Sequence, residues 1–341
     1  MLKNPNIATY QLIADILNFD NDCDVLKKQL QTSKINWENL VKVASKHLVL
    51  TAVYCRLKDK DLLNYLPCDL NEYLKELTSI NRNRNKKLII EAQKLTKLLE
   101  SHNIEYLFVK GMALLLGGYY KDFGERMIGD FDILIPDKDI TIAFNLIKKE
   151  GYDKLIKFNY DVLNFRHLPR QVNENKLAAI ELHGHVLNPS QRNLIPINEV
   201  FENKEKVEGY SIASKNHLNL INVLTSQLND KNHYYNTVNF KNSYDSLVLG
   251  LQPDMFLNSK YFSHYLCLNS VWFKQFKSTN PSLINKIKKK SYIKKIKYKN
   301  LAWLISSVKY ICFYVLERLK LVVLNKSYRN YLIKSLFLRK T

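Results

Sequence analysis

The stretch from Tyr106 to Gly151, YLFVKGMALLLGGYYKDFGERMIGDFDILIPDKDITIAFNLIKKEG, constrains this chain more than any other. Leu107, Phe108 and Val109 form a short apolar run that stops at Lys110-Gly111, as a buried strand does. A second strand follows. Because strand side chains alternate, Asp130 and Asp132 share one face and Phe131, Ile133 and Ile135 share the other. Pro136-Asp137 stops that strand, and Asp137 is expected to cap the next helix. There Ile140, Ala143, Phe144 and Ile147 recur at helical spacing, and Gly151 is the expected stop. Two carboxylates side by side on a strand are suited to holding a pair of divalent cations for phosphoryl chemistry. A glycine after the first strand, Gly111, lets backbone N–H groups approach a phosphate.

A third acid is available downstream. In the segment AAIELHGHV, Ile180, Leu182 and Val186 face one way and Glu181, His183 and His185 the other, the alternation of a half-buried strand. A zinc site built on the two histidines is the weaker reading, because no cysteine lies nearby and an aspartate pair suits a hard cation. Each feature also has a plainer reading. An isolated Asp-x-Asp is common on surface strands and loops. Lys110 reads as a solvated strand-end lysine or as a phosphate contact. Arg126 reads as a loop salt bridge or as a triphosphate contact through its planar fork.

In order and spacing, Lys110-Gly111, Arg126 and Asp130-x-Asp132 resemble the core of the polymerase-beta-like nucleotidyltransferase superfamily, and most of all its branch of uncharacterised nucleotidyltransferases of bacteria. Aminoglycoside and abortive-infection nucleotidyltransferases show a similar pattern. The resemblance covers roughly residues 80–190 and is weaker outside them. It implies an α+β fold, a small mixed sheet with helices, flanked by N- and C-terminal helical regions. It implies transfer of a nucleoside monophosphate from an NTP, with ATP the first expectation, to a hydroxyl acceptor, with Mg²⁺ or Mn²⁺ as cofactor. Asp130, Asp132 and Glu181 would be the metal ligands and catalytic acids. Lys110, Gly111, Arg126 and His183 would contact the nucleotide. The family's usual Gly-Ser or Gly-Gly turn is Gly111-Met112 here; Gly117-Gly118 is the alternative phosphate turn, read as the end of the short helix. The acceptor, whether small molecule, glycan precursor, protein or RNA, is left open. Two other classes compete: an antitoxin-like or regulatory binding protein on the same fold, and a basic RNA- or membrane-associated protein.

Hydrophobic residues at 46% and charged residues at 25% are those of a globular protein with a sizeable core. Five scattered cysteines without a C-x-x-C pair argue against a zinc ribbon or a disulfide framework. The opening MLKNPNIATYQLIADILNFD lacks the apolar segment and cleavage site of a leader, so a cytoplasmic location is expected. Three parts are expected: a helical region over 1–100, the core over 101–200, and a mainly helical region over 201–341. Residues 229–243 read as a loop or exposed turn. The net charge of +20 is concentrated late, with eight lysines and no acid in residues 284–299. After them Leu301, Leu304, Ile305, Val308, Ile311, Cys312, Val315, Leu319 and Val322 make a helical stripe, interrupted by Lys309, Glu317, Arg318 and Lys320. No run reaches the roughly 18 apolar residues of a membrane span. The stripe is expected to pack on the domain. The alternative is that the tail lies on an anionic membrane surface, peripheral to its inner face, or contacts RNA.

Overall fold

Among the described residues five α-helices precede the first strand: α1 (Pro5–Leu17), α2 (Cys23–Thr32), α3 (Trp37–Lys46), α4 (Leu50–Asp59) and α5 (Cys68–Ser101). The computed structural model describes residues 4–20, 23–32, 34–161, 166–251, 259–277 and 282–338. Asparagine starts two of the helices. The Asn4 side chain accepts from the N–H groups of Asn6 and Ile7, and that of Asn36 from Asn39, satisfying donors that have no intrahelical partner. The 34 residues of α5 make a rod about 50 Å long. Its buried positions Leu88, Ala92, Leu95 and Leu99 follow the helical repeat of the sequence.

Beyond α5 the chain alternates short strands and helices. These are β1 (Leu107–Phe108), α6 (Lys110–Leu116), β2 (Asp130–Leu134), α7 (Ile140–Lys149), β3 (Lys154–Ile156), β4 (Arg170–Val172), β5 (Ala179–His183), α8 (Ile197–Glu202), β6 (Glu205–Val207) and β7 (Tyr210–Ile212). They form one mixed sheet in the order β3-β4-β5-β2-β1-β7-β6. The parallel pair β2/β5 lies at its centre, with Asp132 opposite Glu181 and Phe131 opposite Ile180. Phe131, Ile133, Ile180 and Leu182 are buried, as two interior strands require. β7 joins β1 in parallel, so the sheet takes its last hairpin from beyond residue 200. Helices α9 (Lys215–Leu224), α10 (Asn232–Tyr235), α11 (Phe240–Val248), α12 (Lys260–Asn269), α13 (Leu283–Lys297), α14 (Lys299–Leu324) and α15 (Lys326–Leu338) complete the chain. This is the α+β architecture expected, a mixed sheet flanked by helices on both sides in sequence.

Three local expectations are corrected. Asp137 does not cap α7. Asp139 is the N-cap residue and makes no side-chain cap bond, while the Asp137 carboxylate lies 3.6 Å from His185 Nε2. Residues 229–243 are not an exposed loop. They contain α10 and the start of α11, and Asn232, Asn236, Asn242 and Ser243 are buried. Three of them donate to partners elsewhere in the fold: Asn232 to Ser226 Oγ (2.8 Å), Asn236 to the Lys288 carbonyl (2.7 Å) and Ser243 to Asn269 Oδ1 (2.5 Å). The third correction concerns the tail. Leu304, Val308, Ile311, Val315, Leu319 and Val322 on α14 are exposed, not packed on the body.

Candidate active site

The site is built where β2, β5 and the first turn of α6 meet. Parallel pairing puts the side chains of Asp130 and Asp132 beside those of Glu181 and His183 on one sheet face. One ligand atom from each of Asp132, Glu181 and His183 falls within 4.8 Å of the others. His183 Nε2 lies 2.8 Å from Asp132 Oδ1 and 3.5 Å from a Glu181 oxygen. Lys110 Nζ donates to the same Asp132 oxygen at 2.5 Å. Arg170 on β4 bridges the two remaining acids, donating from Nε to Glu181 (2.7 Å) and from Nη2 to Asp130 (2.7 Å).

These contacts set the charges. Burial opposes ionisation of Asp132, but Lys110 and the hydrogen bond from His183 outweigh it and hold its carboxyl well below the usual range. Burial likewise opposes Glu181, and hydrogen bonds from His183 and Arg170 bring it down to about 2. Asp130 moves the other way: burial, then the charges of Asp132 and Glu181, raise it. The three acids therefore form a cluster whose repulsion is balanced by Lys110 and Arg170.

The backbone at Lys110 is unusual. Its φ is +54°, a left-handed conformation that side chains seldom adopt. That twist turns the chain directly from β1 into α6 and aims the lysine at Asp132. Gly111 follows in the first turn of α6, where a backbone N–H has no partner within the helix. A Cβ at position 111 would come within 3.0 Å of Ile128 Cδ1 and 3.6 Å of Arg126 Nη2, so the glycine lets the two segments close up. Gly117 and Gly118 cap the far end of α6.

Arg126 is largely consumed by structure. Its guanidinium donates from Nε (3.0 Å) and Nη2 (3.1 Å) to the Asp245 carboxylate on α11 and from Nη1 to the Met127 carbonyl (2.6 Å). Helix α5 fixes the loop that carries it. Asn81 and Asn85 both donate to the Arg126 carbonyl, Arg82 grips Asp122 through two bonds of 2.8 and 2.7 Å, and Arg84 donates to the Ile128 carbonyl.

Of these residues Lys110, Gly111, Arg126, Asp130, Asp132, Arg170 and Glu181 line a cleft of about 390 Å³, a size suited to a small-molecule ligand. Five cations (Lys110, Arg126, Arg166, Arg170, Lys241) and five acids (Asp130, Asp132, Glu181, Asp230, Asp245) line it. Burial, and then Arg126, hold the Lys241 ammonium below its ordinary value. Sequence reasoning missed Arg166, Arg170, Asp230, Lys241 and Asp245. The arginines stand four apart just before the Glu181 strand, a signal that was available. The other three lie in or beside the segment read as a loop. His185 does not join the cluster and lies against Asp137 instead.

The sequence model of the family described as uncharacterised nucleotidyltransferase matches residues 33–258, spanning α3–α5, the sheet and the cleft. No curated protein matches the chain. The chain belongs to this family of nucleotidyltransferases, and its α+β fold and acid-lined cleft are compatible with nucleotidyl transfer.

Proposed function

We propose that the cleft moves a nucleoside monophosphate from an NTP, ATP being the first candidate, to a hydroxyl of an acceptor molecule, with Mg²⁺ or Mn²⁺ held by Asp130, Asp132 and Glu181. The observation that carries this reading is the placement of the three carboxylates on one face of β2 and β5, at the floor of a cleft rich in cations. The donor set fits a divalent ion. Carboxylate oxygens suit a hard cation, and the His183 nitrogen beside them is compatible with Mn²⁺ as well. Lys110 and Arg170 already supply positive charge at the carboxylate oxygens a cation would use.

When bound, the cation would neutralise triphosphate charge and stabilise the leaving pyrophosphate. The chain's own residues do the rest. Lys110 can exchange its bond to Asp132 for a phosphate oxygen, because its side chain is partly exposed to the cleft. Gly111 offers backbone without a side chain where the phosphates would approach. Arg126 adds a fixed charge to the wall while holding Asp245. His183 keeps Asp132 oriented and ionised. Glu181 shares in holding the cation or in drawing the proton from the acceptor hydroxyl.

Calorimetry tests this reading. The wild-type chain is expected to bind a non-hydrolysable ATP analogue only with Mg²⁺ or Mn²⁺ present, and Asp130→Asn with Asp132→Asn should weaken that binding at least about 100-fold with the melt retained. Cation-independent binding, or unchanged affinity in the folded double variant, would remove the carboxylates from the mechanism.

A further inference from the structure

Helix α13 has two dissimilar faces. Asn285, Tyr292 and Lys295 are buried on one side, and Trp272 Nε1 donates to Tyr292 Oη at 2.8 Å, anchoring the helix to the body. On the other side Lys286, Lys290, Lys294 and Lys297 are exposed. Steps of four, four and three residues put these four on one stripe of a 3.6-residue helix. Between residues 283 and 316 the chain has nine lysines and no acid.

The next helix, α14, carries exposed apolar residues. On α14, Leu304, Val308, Ile311, Val315, Leu319 and Val322 fall on a second stripe and all are exposed. Trp303 is 72% exposed, and Tyr310 and Tyr314 along the same helix and Tyr298 at its N-cap are exposed. An apolar helix carrying surface tryptophan and tyrosine has the amphiphilic make-up of an element at a water–lipid boundary. Among the described residues no helix is long and apolar enough to cross a membrane. The body touches α14 through Lys309, which donates to the Tyr234 carbonyl, through Phe313, which packs on Tyr234 and under Lys231 Nζ, and through Asn325 beyond its end, which donates to the Asp161 carbonyl.

We propose that α13 and α14 form a docking surface for an anionic lipid bilayer, with the lysine stripe meeting phosphate headgroups and the α14 stripe entering the boundary of the acyl chains. Charge selects this occupant. A second copy would bring two lysine faces together, which like charges oppose. An RNA would satisfy the lysines and leave the apolar stripe in water. An anionic bilayer satisfies both, because headgroup and acyl region lie within one helix diameter of each other.

Tryptophan emission of the full chain with vesicles decides it. With phosphatidylglycerol-containing vesicles at low salt, the chain should cosediment and its emission should shift to the blue. Trp303→Phe should abolish that shift while cosedimentation persists. Pure phosphatidylcholine vesicles should bind at least about tenfold more weakly, and high salt should release the protein. Replacing Lys286, Lys290, Lys294 and Lys297 together by Gln should weaken binding to anionic vesicles about tenfold or more; these side chains are exposed, so the melt checks that the fold is kept. The proposal is overturned if monomeric chain stays in the supernatant with anionic vesicles at low salt. It is overturned equally if the chain self-associates with Trp303 already shielded before vesicles are added, or if homopolymeric RNA shifts the Trp303 emission and vesicles do not.

Discussion

At Lys110 a left-handed backbone, a part-buried ion pair and a following glycine coincide in two residues. Strain of this kind persists only when its surroundings fix it, and here β1, α6 and Asp132 do so. A different single residue, His47, is held neutral by its surroundings. The Phe240 N–H donates to His47 Nδ1 at 3.3 Å, which requires a neutral ring, and His47 Nε2 lies 3.3 Å from Tyr10 Oη. Burial, and then Lys46, lower this histidine to about 4. The unfolded chain takes up the proton near 6.5 and the folded chain only near 4. Between those values the unfolded state binds more protons, so stability should fall as the pH is lowered, by at most about 1.4 kcal/mol per pH unit for this one group. Denaturant melts from pH 7 to 5 (about the unfolded midpoint) should show this slope, and His47→Gln should make it shallower by about one proton. An identical slope in the variant would mean that His47 does not carry the effect.

Among elements, the joint between the 122–128 loop and α11 holds the cleft together. Asp245 on α11 accepts from Arg126 twice and from Tyr120 Oη at 2.6 Å, all in the interior. Removing one partner of a buried pair leaves the other charged and unpaired. Asp245→Ala is therefore expected to cost about 3–5 kcal/mol in urea melts, and adding Arg126→Met should recover part of it. A single-variant loss under about 1 kcal/mol would place the joint in a solvated setting instead. The elements also show what a sequence can and cannot reveal. The strand pair carrying Asp130, Asp132 and Glu181 was legible because strand alternation is local and of period two. The 229–243 segment was not, because buried asparagines and serines look like a loop until their tertiary hydrogen-bond partners are known. The stripe on α14 was visible as periodicity, but periodicity marks an apolar face without saying what covers it. Arg170 escaped notice because its partners, Asp130 and Glu181, are 40 and 11 residues away along the chain.

On the scale of the whole molecule, the long helix α5 braces the loop leading to β2, the sheet holds the acids, and α9 and α11 close the cleft from the other side. The matched family region, 33–258, ends before α13 and α14, so the basic and apolar tail lies outside the part that defines the family. The cleft and the tail are thus separable in sequence, and each has its own readout. For the cleft, the deciding measurement is covalent transfer of label from α-labelled NTPs in the presence of Mg²⁺ or Mn²⁺ and a cell extract that supplies acceptors. The wild-type chain should attach label to an acceptor, Asp132→Asn should attach none, and His183→Gln should retain activity reduced about 10- to 100-fold, because it removes the group that orients Asp132. Label transfer by Asp132→Asn at the wild-type rate would contradict the account.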